Sequence, residues 1–218
     1  MRYRTSIVLA CLAALLALPG CKLVKNEDLA KAKAEAGGAA AFDPDKMARD
    51  MWGTRIVPYL EAKGGSFTEV RALIAKSPDE AGKRFGYREK PEGIPWTIAT
   101  RLDGRIVAAN TASRAATVDV DVDGDGVADA VVQIGPVIRG TALRDGLDFV
   151  SFNAFTNQID YAKFAKSLNT LMAETALAKL PREDLTGRKI SVVGVFALEK
   201  PGDKPLVTPA VATLGDKS

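Results

Sequence analysis

Residues 117–138 read TVDVDVDGDGVADAVVQIGPVI, and their periodicity decides the fold class. Val118, Val120 and Val122 alternate with Asp119, Asp121 and Asp123. A period of two puts the valines on one face of a strand and the carboxylates on the other. Ala130 to Ile134 predicts a second strand, and Gly135-Pro136 interrupts the run before Val137-Ile138. Upstream, Thr97 to Leu102 and Arg105 to Ala109 flank Asp103-Gly104, a dipeptide that favours hairpin turns. Downstream the period becomes helical. Tyr161, Phe164, Leu168, Leu171 and Met172 share one face of a long helix expected from about Ile159 to Leu180, where Pro181 stops it. Ile190 to Leu198 and Leu206 to Leu214 then predict two more strands around a turn at Pro201-Gly202-Asp203.

A helix between the third and fourth strands of a small barrel resembles the OB arrangement, a five-stranded Greek-key barrel. The expectation is therefore an α+β protein: an N-terminal helical segment, residues 42–95, packed on an OB-like barrel, residues 96–218. A simple sheet with helices on one face is the competing architecture. In the helical segment, Asp43-Pro44 supplies an N-cap and a first-turn proline, and Met47, Met51, Ile56, Tyr59 and Leu60 follow near helical spacing. Gly64-Gly65 closes that helix. Ser66 and Glu69 form a capping box that opens the next, with Val70, Leu73 and Ile74 on one face, and Pro78 starts a short third helix reaching Phe85.

The first 41 residues read as an address. Arg2 and Arg4 precede an apolar run from Ile7 to Leu18, followed by Pro19-Gly20-Cys21. The run is about a dozen residues, short of the ~20 that a spanning helix needs. A basic start, a short apolar core and small residues at the cut describe an export signal, residues 1–20. Leu18-Pro19-Gly20-Cys21 also resembles a bacterial lipobox, which makes Cys21 the lipidated first residue of the mature chain. A plain secretory peptide is the alternative. Residues 21–41, rich in Lys, Glu, Ala and Gly, are expected to form a flexible tether. Lys22 stands where an Asp would resemble an inner-membrane retention signal, which favours the outer membrane.

Composition narrows the chemistry. The 218 residues include no histidine and two cysteines, Cys11 and Cys21. Ser-His and Cys-His nucleophile pairs and His-ligated metals are thereby excluded. Lipidation of Cys21 also removes the last free thiol. Loss of Arg2 and Arg4 takes the basic residues from 30 to 28, against 27 acidic. A near-neutral body argues against nucleic acid as a partner, whatever the barrel suggests.

Two constellations carry candidate chemistry. Asp121, Asp123, Asp125 and Asp129, with the Val127 carbonyl, have the spacing of short strand-loop-strand calcium loops, with Gly126 at the sixth position. Four carboxylates within nine residues repel one another without a counter-cation. The bidentate Glu of an EF-hand is missing, since Val132 occupies the twelfth position. The expected Ca²⁺ is structural; a solvated acidic turn is the plainer alternative. The second constellation spans Arg139 to Gln158. Arg139, Arg144, Asn153 and Asn157 are the candidate binding residues there, among Phe149, Phe152 and Phe155. Forked donors and rings suit a polar small molecule, but the same residues equally serve as backbone caps and core. Paired carboxylates, Asp145 with Asp160 or Glu174, would be needed for the alternative of an envelope carbohydrate-active hydrolase.

Residues 132–145, VQIGPVIRGTALRD, together with FNAFTNQI at 152–159 and LVTP at 206–209, resemble the signature segments of the predicted periplasmic lipoprotein family DUF2291. The resemblance extends from Cys21 to about Leu214. It implies a lipid anchor and a place on the periplasmic side of the envelope, and it implies no catalytic residue. It also suggests a setting beside sugar-type ABC importers, with a transporter component or its substrate-binding protein as partner. The expected function is thus a non-enzymatic ligand- or partner-binding accessory module.

Overall fold

The computed structural model describes residues 42–90 and 93–217. The expected export signal, the expected lipidation site Cys21 and the expected tether lie outside them. Residues Asp43–Ser218 form one compact unit. No helix among the described residues is long and apolar enough to cross a membrane.

Helix α1 (Pro44–Met51) is capped by Asp43, whose side chain accepts from the Lys46 N–H, and it passes through a π-helical turn at Trp52–Ile56 into α2 (Val57–Lys63). The carbonyls of Glu61 and Gly64 at the end of α2 accept from the Arg101 guanidinium. After the two-residue strand β1 (Gly65–Ser66), Ser66 caps α3 (Phe67–Lys76) through the Glu69 N–H, as the capping box predicts. Ser77 caps α4 (Pro78–Phe85), and β2 (Gly86–Tyr87) follows.

Five longer strands come next: β3 (Trp96–Asn110), β4 (Thr117–Asp121), β5 (Ala130–Gln133), β6 (Arg188–Leu198) and β7 (Leu206–Lys217). Their pairings run β3-β4-β5-β7-β6 and back to β3, so the hydrogen bonds close a ring. All pairs in the ring are antiparallel except β5 with β7, where Val131 and Val132 lie beside Leu206 and Val207. Between β5 and β6 the chain leaves the ring through α5 (Ala142–Asp145) and α6 (Gln158–Met172). This is the OB-like order.

Asp103-Gly104 does not turn the chain. It lies within β3, where Asp103 pairs with Ser191 and Gly104 with Ile190. The first half of β3 pairs with β6 and the second half with β4, so one strand crosses the ring and serves both neighbours. A Cβ on Gly104 would stand 2.4 Å from the Asp121 carbonyl oxygen, so glycine is needed there for close backbone approach.

The alternation seen in the sequence becomes two apolar layers. Ile98, Leu102, Val118, Val120, Val132 and Phe196 point into the ring and are joined by Phe67, Val70 and Phe85 from α3 and α4. Ala99, Val195 and Ala210 point outward, beneath Leu60, Phe164 and Leu168 from the other helices. β6 is apolar along nearly its whole length because both of its faces are covered. The Ser167 hydroxyl ties α6 to α1 by donating to Asp45 at 2.5 Å.

Candidate functional site

A cleft of about 680 Å³ opens at the end of the ring where β3 starts, β5 and β6 finish and β7 begins. Its floor is polar: Thr97, Gln133 and Thr208 line it while only 4%, 1% and 2% exposed. The Gln133 amide makes full use of its burial. Its Nε2 donates to the Thr208 hydroxyl at 2.8 Å and to the Arg139 carbonyl at 3.1 Å, and its Oε1 accepts from the Arg139 N–H at 2.8 Å. A buried amide must be paired to offset its desolvation, and here the pairing fixes the backbone of the loop that leaves β5. Gly135 is part of the same stitching. Its N–H and that of Ile134 both donate to the Ala116 carbonyl, at 3.0 and 2.9 Å.

One wall is charged and aromatic. Arg144 lies 3.6 Å over the Tyr161 ring and donates through Nε and an Nη to Asp145 at 2.8 and 2.6 Å. Asp145 also accepts from the Thr141 hydroxyl at 2.5 Å. Glu89, from the segment after β2, accepts from the Ser151 hydroxyl at 2.6 Å and the Phe152 N–H at 3.0 Å. Two of the cleft carboxylates, Asp145 and Glu89, therefore already hold donors. Burial pushes the Tyr87 and Tyr161 phenols above their ordinary range, so each presents a neutral hydroxyl.

Of the four residues expected to bind, Arg139 and Arg144 line this cleft and the two asparagines do not. Asn157 caps α6, accepting from the Asp160 N–H at 3.0 Å and donating to its carboxylate at 3.0 Å. Asn153 is exposed on the short 3₁₀ turn at Phe152–Ala154. Asn157 thus has the capping role left open as the alternative. Asp145 faces the cleft, but Asp160 and Glu174 are not among its lining residues. Thr97, Gln133, Thr208, Tyr161 and Glu89 escaped sequence reasoning. Only Gln133 carries a local signal, a polar side chain at the end of the apolar strand β5.

The acidic loop lies elsewhere, joining β4 to β5. Asp121 is its hub: 5% exposed, its two oxygens accept from the Gly124 and Gly126 N–H groups at 2.7 and 3.0 Å. Both glycines have positive φ, 85° and 88°, which L side chains rarely adopt. Asp129 accepts from the Val122 N–H at 2.7 Å. One carboxylate oxygen from each of Asp121, Asp123 and Asp129 lies within 4.8 Å of the others. Asp125 stands outside that group and accepts from the Val127 N–H at 2.7 Å. Val127 is 64% exposed. The three converging oxygens fit a hard cation. A second cavity, about 760 Å³, borders the loop at Asp121, Gly124 and Gly126.

Ring order, the parallel β5–β7 pair and the helical crossover define an OB-fold protein. The structure is similar to the crystal structure of an OB-fold protein from Thermotoga maritima, with a TM-score of 0.63 and 19% identity over 80% of this chain and 99% of that one. No curated protein matches the chain. The chain belongs to the family DUF2291, described as predicted periplasmic lipoprotein, whose model matches residues 11–213. Membership of a lipoprotein family implies membrane anchoring on the periplasmic side.

Proposed function

We propose that this periplasmic lipoprotein is a non-enzymatic accessory module that binds a small polar ligand in the cleft at the end of the ring. The observation that carries the proposal is the cleft itself. Its volume of about 680 Å³ falls within the ~300–1,000 Å³ of small-molecule sites, and buried polar groups stand beneath Arg139 and Arg144. The commitments of Asp145 and Glu89 to neighbouring donors favour binding over acid-base chemistry. Cys21 is the proposed lipid attachment point, and Lys22 supports an outer-membrane address. The partner we propose for the loaded module is a sugar-type ABC importer component or its substrate-binding protein.

The test is retention. Mature protein is incubated with the small-molecule fraction of an envelope extract, re-isolated, and its bound compounds are identified by mass spectrometry. A polar compound retained by the wild type and lost from Arg144→Leu is the expected result. Identical retention by both proteins sinks the assignment of this cleft.

We further propose that the acidic loop holds a structural Ca²⁺ through Asp121, Asp123 and Asp129. The support is the convergence of their oxygens, together with the mutual repulsion of unscreened carboxylates. A ligand at a hundred times its Kd stabilises by about 2.7 kcal/mol. In a chain of this size that corresponds to a rise in Tm of roughly 5–10 °C with calcium over chelator. Superimposable melts in calcium and in chelator count against the site.

A further inference from the structure

We infer that the ligand of the cleft is a small hydroxylated anion, a sugar or polyol bearing a phosphate or carboxylate, whose charge is held by Arg139, Lys200 and Lys204. The inference rests on the ligand-binding proposal above and specifies its chemistry. Six cationic and four acidic side chains line the cleft, and they are not equally occupied. Arg144 is paired with Asp145. Arg88 lies 4.1 Å over the Trp96 ring, with Asp79 at 3.5 Å. Arg71 donates to the carbonyls of Pro201 and Asp203 at 3.3 and 3.0 Å.

Arg139, Lys200 and Lys204 differ from these. Among the described residues their side chains make no ion pair and no hydrogen bond, and all three are exposed at the lip. Asp145 and Glu89 are already committed, so Glu199 and Asp203 are the lip carboxylates left to oppose three free cations. The excess of positive charge faces the opening, where it meets an incoming anion before burial.

Arg139 is also placed with unusual care for an exposed residue. A side chain 1% exposed, Gln133, holds both its N–H and its carbonyl. The backbone is fixed while the guanidinium stays unpartnered, which lowers the ordering cost of gripping a forked oxyanion. Below the lip, the Thr97 hydroxyl also makes no hydrogen bond among the described residues, although Thr97 is 4% exposed. With the Thr208 hydroxyl also lining the floor and the Tyr87 and Tyr161 phenols on the walls, the interior offers hydroxyl partners to a hydroxylated body. A purely apolar anion would leave those groups unsatisfied.

Calorimetric titration of the mature lipoprotein in detergent micelles tests this, with glucose 6-phosphate, glucuronate, glucose and inorganic phosphate as probes at low salt. At least one sugar anion is expected to bind ten-fold or more tightly than either glucose or inorganic phosphate. Arg139→Gln should weaken that binding at least ten-fold with an unchanged Tm, and Lys204→Gln should weaken it by a smaller factor. Glucose binding as tightly as its anions overturns the anion inference and leaves the binding proposal standing. Phosphate binding as tightly as glucose 6-phosphate removes the hydroxylated body. Absence of binding by all four probes overturns the sugar-anion inference, while the binding proposal is decided separately by the retention experiment.

Discussion

Replacing Gly135 by alanine is expected to lower stability by roughly 3 kcal/mol, at the upper end of overpacking costs. That is about a 150-fold change in the folding equilibrium. The added Cβ would stand 2.1 Å from the Arg114 carbonyl oxygen and 2.3 Å from the Ala116 nitrogen. Both are backbone atoms held by the strand exit, so neither yields as the tip of a side chain does. Relief requires parting residues 134–137 from residues 114–116, which breaks the hydrogen bonds of Ile134, Gly135 and Val137 to that segment. Arg139 lies four residues on, so the variant that folds should also bind cleft ligands less tightly. Thermal melts give the comparison, with Gly202→Ala as control because nothing lies within 4 Å of its Cβ position. Equal melting temperatures for the two variants would refute the stitched exit from β5.

Phe164→Ala is expected to cost about 3–5 kcal/mol. The side chain is 0% exposed, packs with Phe155 at a centroid distance of 5.6 Å, and belongs to the layer between α6 and the outer face of the strand ring. A loss of that size is a large share of the ~5–15 kcal/mol that holds a typical domain together. The fall in Tm should be roughly 6–20 °C. Phe152 lies nearby, against Tyr161 at 5.5 Å, but is 40% exposed. Its replacement by alanine should cost far less. Denaturant unfolding separates the cases, and a Phe152→Ala loss matching that of Phe164→Ala would show that the helical layer is not organised by burial.

Much of this architecture is legible before any coordinate is known, because strands and helix ends are local events. Valines at 118 and 120 face inward as a period of two requires, and Asp43 and Ser66 cap the helices their spacing announces. The misread element is Asp103-Gly104. The dipeptide favours a hairpin locally, but ladders to β4 and β6 hold it extended, and tertiary pairing outweighs a turn preference. The π-helical turn at Trp52–Ile56 has no counterpart in the helical periodicity.

The candidate site was legible only in part. Arg139 and Arg144 stand close in sequence, in a stretch dense in amides, and both line the cleft. Asn157 shares that stretch but is spent on the first turn of α6, which sequence chemistry alone cannot separate from ligand binding. Thr97, Gln133, Tyr161 and Thr208 come from four different elements, and nothing local marks them as neighbours.

By itself the sequence determined the order of elements and a chemistry without histidine, and it carries the lipobox-like Leu18-Pro19-Gly20-Cys21. These depend on periodicity, residue type and short spacing, all of which are carried along the chain. Only the tertiary structure decided that one long strand serves two neighbours, that a buried glutamine fixes the loop under Arg139, and which acids remain free at the cleft. Those facts depend on ring closure, which brings β3, β5, β6 and β7 together at one end although more than a hundred residues separate Thr97 from Thr208. Long-range pairing created the site, and no local pattern encodes it.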